Sequence, residues 1–342
     1  MIIVLKPHLS KKDEKAVLKE IRKLGYTPHV MRGVARTVIG AIGDELTHKN
    51  LEALATQFPN AVESVTPIQK RYKLVSREAH ATNSTIRVRE HVIGGSKFHV
   101  MAGPCSVEGE KQLLTTAEAV KAAGATILRG GAFKPRTSPY EFQGLGERGL
   151  KLLAKARRLT GLAIITELLS EHHAEMVAEY TDIIQIGARN AQNFQLLIAA
   201  AKTRKPILLK RGLSMKVEEW LLAGEYVLAN ENPNLMFCER GIRTFETYTR
   251  NTLDLSTIPT IKRESHCPIV IDPSQGVGRA DLVTSLCKGA AAMGADALLI
   301  EVHPNPAEAW SDGAQQLSLD GFAQLMRELG PFLAAAGREC AT

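Results

Sequence analysis

Aromatic residues are scarce in this chain of 342 residues, with Phe, Trp and Tyr together at 5%. That shortage excludes the stacked aromatic platforms on which single-stranded nucleic acids are held. Long hydrophobic runs are also missing. The apolar stretches are strand-sized, and none approaches the roughly 20 residues a membrane-spanning helix requires. The opening MIIVLKPHLSKKDEK has an apolar run too short, and no cleavage-like site, for a secretory signal. Cysteines number five (Cys105, Cys238, Cys267, Cys287 and Cys340) with no CxxC pairing. An odd, unpaired set speaks against a disulfide framework and for a reducing compartment. The expectation is a cytoplasmic protein with neither a membrane nor a nucleic acid among its partners.

What is present is the ordinary balance of a globular protein, 44% hydrophobic and 23% charged, enough for a sizeable core. The formal net charge is +7, which suits anionic metabolites once nucleic acid is set aside. The length exceeds one average domain and accommodates a large α/β barrel of about 250 residues plus a small domain.

The first segment reads strand, helix, strand, strand, helix, strand: MIIVLKP, KKDEKAVLKEIRKLGY, TPHVMRG, RTVIGAIGD, KNLEALATQFPNAV and VESVTPI. That order is the split βαβ of ferredoxin-like domains, a size and type that often regulates by binding a ligand or partner. We divide the chain into this domain over 1–72, a polar linker over 73–84 and a catalytic unit over 85–342. Within the last, IRVREHVIGGSKF predicts a short hairpin turning at Gly94-Gly95, placed to plug the bottom of a barrel.

From Lys97 onward, apolar runs alternate with helical patterns: FHVMAG, TILRGG, AIITEL, DIIQIG, PILLKR, LMFCER, PIVID and ALLIEV. Each is too continuously apolar for a half-exposed sheet, so the pattern predicts a parallel (β/α)8 TIM barrel, with a doubly wound sheet as the runner-up. A barrel carries its chemistry where strands end. There the sequence places Cys105, Arg129, Glu167, Arg189, Lys210, Glu239 with Arg240, Asp272 with Gln275, and Glu301.

Arg129, Arg189, Lys210 and Arg240 come from four strand ends and call for an anion carrying phosphate and carboxylate. A second basic group, Lys134, Arg136, Thr137 and Ser138, follows the second strand on a loop bent by Pro135 and Pro139. Two anion sites imply two phosphorylated substrates. Opposite them, Cys105, Glu301 and Asp312, with Gln275 beside them, form a thiol-and-carboxylate set suited to a divalent transition metal. GLGERG over 144–149 matches a dinucleotide fingerprint only superficially, because no strand precedes it. Ser170 in SEHHAE reads as the cap of a solvated helical turn.

The motifs AGPCSVE, LRGGAFKPRTSPYEFQGLG, QIGARN, LLKRG, FCERGIRTFETYTRNTLDL and EVHPNPAEAWSDGAQQL resemble those of 3-deoxy-D-arabino-heptulosonate 7-phosphate synthases of the type I beta class. The resemblance covers nearly the whole chain, including the ferredoxin-like domain that some members carry. It implies condensation of phosphoenolpyruvate with erythrose 4-phosphate, the opening step of the shikimate route. It also implies phosphoenolpyruvate binding by Arg129, Lys134, Ala188, Arg189, Lys210 and Arg240, and aldose phosphate binding by Lys134, Pro135, Arg136 and Thr137. Lys134, between the two clamps, is the candidate catalytic proton donor; Glu167 and Asp272 are lesser helpers. The related 3-deoxy-manno-octulosonate 8-phosphate synthases typically read KANRS where this chain reads KPRTS, which favours the four-carbon acceptor. No chorismate mutase-like helical domain is expected after the barrel, so inhibition by an aromatic amino acid would fall to the first domain. A homotetramer is the expected assembly.

The family's divalent metal ion (Mn2+, Zn2+, Fe2+ or Co2+) implies ligands Cys105, Glu301, Asp312 and a histidine in a DPSH motif. Here that motif reads Asp272-Pro273-Ser274-Gln275. An amide oxygen is a harder and weaker ligand than an imidazole nitrogen. Three readings stand: Gln275 as a weak ligand, a synthase that dispenses with the metal, and a non-catalytic metabolite-binding or regulatory barrel.

Overall fold

The structure is a computed structural model and describes residues 1–33, 36–43, 49–66 and 71–341. Its chain forms two compact units, Met1–Thr82 with Glu264–His266, and Asn83–Arg263 with Cys267–Thr342.

In the first unit, β1 (Ile2–Leu5) is followed by α1 (Lys11–Lys23), β2 (Thr27–Arg32), β3 (Thr37–Ile42), two short helices α2 (Lys49–Glu52) and α3 (Leu54–Gln57), and β4 (Val62–Thr66). Helix α1 starts at Ser10, whose hydroxyl accepts from the Asp13 amide at 3.2 Å. Acidic residues lie in its first turn and basic ones in its last, each matched to the helix dipole. Val17 and Ile21, four residues apart on one face, are buried. They meet Ile3, Leu5, Ile39, Leu51 and Leu54 in one apolar core. The sheet is antiparallel in the order β2-β3-β1-β4, the ferredoxin-like arrangement. The predicted second helix divides around Ala53, and the outer ends of two predicted strands, Asp44, Pro67 and Ile68, lie outside the described residues.

The second unit opens with a hairpin, β5 (Ile86–Val88) and β6 (His91–Ile93). Its turn is Arg89-Glu90, with Arg89 at φ 55°, and not the expected Gly94-Gly95. Gly94 instead carries the chain away from the hairpin at φ 88°, where a side chain would meet the Ser84 carbonyl oxygen at 2.5 Å. The plug itself is present. Ile86, Val88 and Ile93 pack with Met101, Ile127, Ile165, Leu208 and Val270 of the barrel strands.

The eight strands follow: β7 (Lys97–Gly103), β8 (Ile127–Arg129), β9 (Ala163–Glu167), β10 (Ile183–Ile186), β11 (Ile207–Lys210), β12 (Leu235–Glu239), β13 (Ile269–Ile271) and β14 (Ala297–Glu301). All neighbours are parallel, and β14 closes on β7 with Glu301 opposite Gly103. Helices α4 (Glu110–Ala122), α5 (Glu147–Thr160), α6 (Ala174–Tyr180), α7 (Phe194–Lys202), α8 (Val217–Ala229) and α9 (Thr257–Glu264) connect the strands through β13. Then come α10 (Pro273–Val277), α11 (Ala280–Ala292), α12 (Leu319–Glu328), α13 (Gly330–Ala335) and a short β15 (Glu339–Cys340) beside β7. The GLGERG run leads into α5 as plain helix entry, and Ser170 makes no capping hydrogen bond. Among the described residues, no helix is long and apolar enough to cross a membrane.

Candidate active site

The strand ends deliver buried charge to one end of the barrel. Arg129 closes β8, Lys210 closes β11, and Arg240 follows β12; all three are at most 5% exposed. Lys210 is held by Asp272, Nζ to Oδ2 at 2.6 Å, and by the Gln275 Oε1 at 2.9 Å. Arg129 donates to the Pro104 carbonyl at 2.6 Å and faces Glu301 Oε1 at 3.2 Å. Burial works to lower the Arg129 pKa, but Glu301 together with the other acidic groups around it raises the net value. Among the described residues Arg240 has no such carboxylate partner, and burial pushes its pKa down. The Nε atoms of Arg129 and Arg240 are both buried without a hydrogen-bond partner among the described residues. An unfilled donor on a desolvated cation is costly, and an incoming anion relieves the cost.

One cavity of about 270 Å³ is lined by Lys134, Pro135, Arg136, Thr137, Ala188, Arg189, Lys210, Arg240, Gln275 and Asp312 of the residues expected from sequence. Arg129, Cys105 and Glu301 do not line it. Cys105 and Glu301 bond to residues that do, and Arg129 pairs with Glu301, so the three form its supporting layer. The sequence expectation thus separates into a lining and a backing. Arg136 pairs with Glu141, Nε to Oε2 at 2.7 Å, and that hydrogen bond raises its pKa. Glu167 also lines the cavity and accepts from Gln185 at 3.2 Å. Glu239 turns the other way, to Arg211 at 2.9 Å.

Lys134 is buried and reaches Cys105 twice, at 3.2 Å from its carbonyl oxygen and 3.0 Å from Sγ. Burial pulls the Lys134 pKa down, but its neighbours Cys105 and Glu301 reverse the direction and keep it raised. The amine therefore holds its proton. Cys105 also contacts Asp312 Oδ2 at 3.2 Å. Burial, reinforced by Glu301, pushes its thiol up to about 12. For Asp312 burial acts upward, yet Lys134 and Arg250 carry its pKa below the usual carboxylate value.

The expected metal ligands do not assemble as a donor set. Gln275 turns its Nε2, a hydrogen donor, toward Glu301 Oε1 at 3.3 Å. Glu301 Oε2 accepts from Gln315 at 2.6 Å, while Oε1 also faces Arg129. Asp312 Oδ1 is taken by Arg250 at 3.2 Å. Among the described residues, no three His, Cys, Asp or Glu side chains come together in a way that could hold a metal ion. His303 bonds to Glu108 at 3.1 Å and does not replace the missing histidine.

Two features went unread in the sequence. The segment after β13 is not a loop but α10, with Asp272 as N-cap and Pro273 in its first turn; Asp272 Oδ1 accepts from the Gln275 amide at 2.9 Å. An Asp-Pro pair after a strand is a helix-start signal. Arg250 is the other. It lines the cavity and holds Asp312 and Gln315, but as one Arg within a polar loop it carries no periodic signal.

A closed parallel barrel that gathers cations from separate strand ends around one cavity defines an enzyme class that handles small phosphorylated or carboxylated substrates. This chain belongs to the DAHP synthetase I family, whose profile matches residues 78–334, and a DAHP synthase ferredoxin-like domain matches residues 1–70. It is 48% identical over 337 residues to a phospho-2-dehydro-3-deoxyheptonate aldolase of Thermotoga maritima, covering 98% of this chain and 99% of the relative. The crystal structure of that organism's DAHP synthase superposes with a TM-score of 0.79 at 47% identity, covering 99% of each chain. A 2-dehydro-3-deoxyphosphooctonate aldolase of Caulobacter vibrioides is more distant, 31% identical over 278 residues, 74% of this chain and 95% of the relative.

Proposed function

We propose that this chain condenses phosphoenolpyruvate with erythrose 4-phosphate, giving 3-deoxy-D-arabino-heptulosonate 7-phosphate and inorganic phosphate. The observation that carries the reading is buried Arg240, which lines the cavity beside Lys210 with its Nε donor unfilled, backed by Arg129, whose Nε is likewise unfilled in the layer behind. These three, with Lys134, Ala188 and Arg189, are assigned to phosphoenolpyruvate. The loop Lys134, Pro135, Arg136 and Thr137 on the same cavity is assigned to the aldose phosphate.

Carbon 3 of phosphoenolpyruvate attacks the aldehyde carbon, forming the new C–C bond. The aldehyde oxygen takes a proton from Lys134, a buried amine of the cavity lining. Water adds at carbon 2, giving up a proton. The bond from carbon 2 to the phosphate oxygen then breaks, phosphate leaves, and the carbon 2 hydroxyl passes its proton to the departing phosphate as the ketone forms. The buried cations hold the phosphate and carboxylate throughout and stabilise charge that develops there. Of the roles open to a divalent ion, the bonding of Gln275 supports the dispensable one, and no step is routed through a metal.

Regulation is assigned to residues 1–72, with 73–84 as linker and 85–342 as the catalytic barrel; the compact-unit boundary after Thr82 supports a break in that linker. A cytoplasmic homo-oligomer, a tetramer, completes the reading.

The test is phosphate release and phosphoenolpyruvate consumption with erythrose 4-phosphate and, separately, with a five-carbon sugar phosphate. Turnover with the four-carbon acceptor is expected. Preference for the five-carbon acceptor would transfer the chain to the octulosonate chemistry of its distant relatives, and silence with both would leave a binding protein.

A further inference from the structure

Gln275 stands where an imidazole was expected, and both ends of its amide are committed. Its Oε1 accepts from Lys210 Nζ at 2.9 Å, and its Nε2 donates to Glu301 Oε1 at 3.3 Å. The partners fix that orientation, because an ammonium only donates and a carboxylate only accepts. Turning the amide over would set its NH2 against the ammonium and its carbonyl against the carboxylate. The atom presented to Glu301 is therefore a hydrogen donor, where a metal ligand must offer a lone pair.

Charge leads to the same result. Glu301 faces Arg129, Asp272 faces Lys210, and Asp312 faces Arg250 at 3.2, 2.6 and 3.2 Å. A dication would enter a site whose carboxylates each already face a cation, and it would have to displace one of them. The backbone reinforces the arrangement. The Gln275 amide is anchored on Asp272, and Ser274 Oγ accepts from the Glu301 amide at 3.0 Å, so α10 is tied to β14 next to the glutamine.

We propose that this synthase works without a bound divalent cation and that Gln275 is the positioning residue that takes the metal's structural place. It joins two buried ion pairs into one chain, Asp272, Lys210, Gln275, Glu301 and Arg129. That chain holds Lys210 at the cavity and keeps Glu301 satisfied. Polarisation of the aldehyde then falls to the N–H donors of the lining, Lys134 foremost. The inference rests on the condensation reading above.

The experiment uses the full-length protein, exhaustively dialysed against chelator. Metal content is measured by mass spectrometry and affinity by calorimetric titration with Mn2+, Zn2+ and Co2+. Phosphoenolpyruvate consumption with erythrose 4-phosphate is followed before and after chelation. We expect no stoichiometric metal, no saturable heat and unchanged turnover. Gln275→His should gain a stoichiometric ion and chelator-sensitive turnover. Gln275→Leu, which keeps bulk but removes both bonds, should raise KM for phosphoenolpyruvate by about tenfold with a smaller change in kcat, as loss of ground-state binding requires. A stoichiometric ion retained by the wild-type protein, or turnover lost on chelation and restored by any of the three metals, overturns the proposal. So does a Gln275→His protein that takes up no metal, because the deficit is placed at that one side chain. Silence of the wild-type protein under every condition would remove the condensation reading, while metal content and calorimetry would still decide this one.

Discussion

A Cβ on Gly187 would lie 2.0 Å from Oε1 of Glu167, so the glycine and the carboxylate hold their places at the cavity only together. No side chain at 187 leaves Glu167 where it is. The requirement comes from space, since Gly187 has an ordinary backbone conformation at φ −72°.

Gly187→Ala should therefore displace Glu167 and lower stability by about 1–3 kcal/mol, the usual cost of overpacking. Adding Glu167→Ala should return most of that stability without returning activity. Urea melts alongside phosphoenolpyruvate consumption check both halves. Equal stability of the single and double variants would show that the clash is not the cause.

Arg240 is buried and, among the described residues, has no carboxylate partner and an unfilled Nε. Arg240→Met should make the free protein as stable as the parent or more so, because a desolvated charge is removed. Phosphoenolpyruvate should raise the parent's melting temperature and leave that of the variant nearly unchanged. A variant still stabilised by ligand to the same extent would rule Arg240 out of the anion site.

Lys134→Ala should lower kcat by about a hundredfold or more, the usual share of a general acid. Circular dichroism should show the fold kept. Near-normal turnover would remove the proton-donor assignment.

His99 is buried with both ring nitrogens bonded, to Thr126 Oγ1 at 3.2 Å and the Val92 carbonyl at 3.1 Å. Burial lowers its pKa from 6.5 to about 4. Below pH 6.5 the unfolded chain binds a proton that the folded one refuses, so stability is full above that pH. It falls as pH drops toward 4, by up to about 3 kcal/mol. Denaturant melts across this range should show the slope, and His99→Gln should flatten it.

Deleting residues 1–72 should keep condensation and abolish inhibition by an aromatic amino acid. Inhibition curves with Phe and Tyr on both proteins decide it; retained inhibition would place the effector site in the barrel.

The barrel was readable because a parallel strand buried on both faces must be apolar throughout. Runs such as DIIQIG and PILLKR announce β10 and β11 for that reason, and polar residues mark where each strand stops. The lining residues Arg189, Lys210 and Arg240 followed from that alone. Partnership did not. Which carboxylate Arg129 faces, and which way the Gln275 amide turns, depend on groups from other strands that sequence order leaves far apart. The hairpin turn was misplaced because Gly94-Gly95 is the stronger turn signal, whereas Arg89 takes the left-handed conformation at Arg89-Glu90.

The plug of Ile86, Val88 and Ile93 has a consequence for traffic. The barrel is stoppered at its base, and across the cavity exposure grades from Thr137 at the rim to buried Lys210 and Arg240. Whatever takes the inner seat must enter ahead of the guest that sits nearer the door. Phosphoenolpyruvate is thus expected to board first, and the sugar phosphate to close the way behind it.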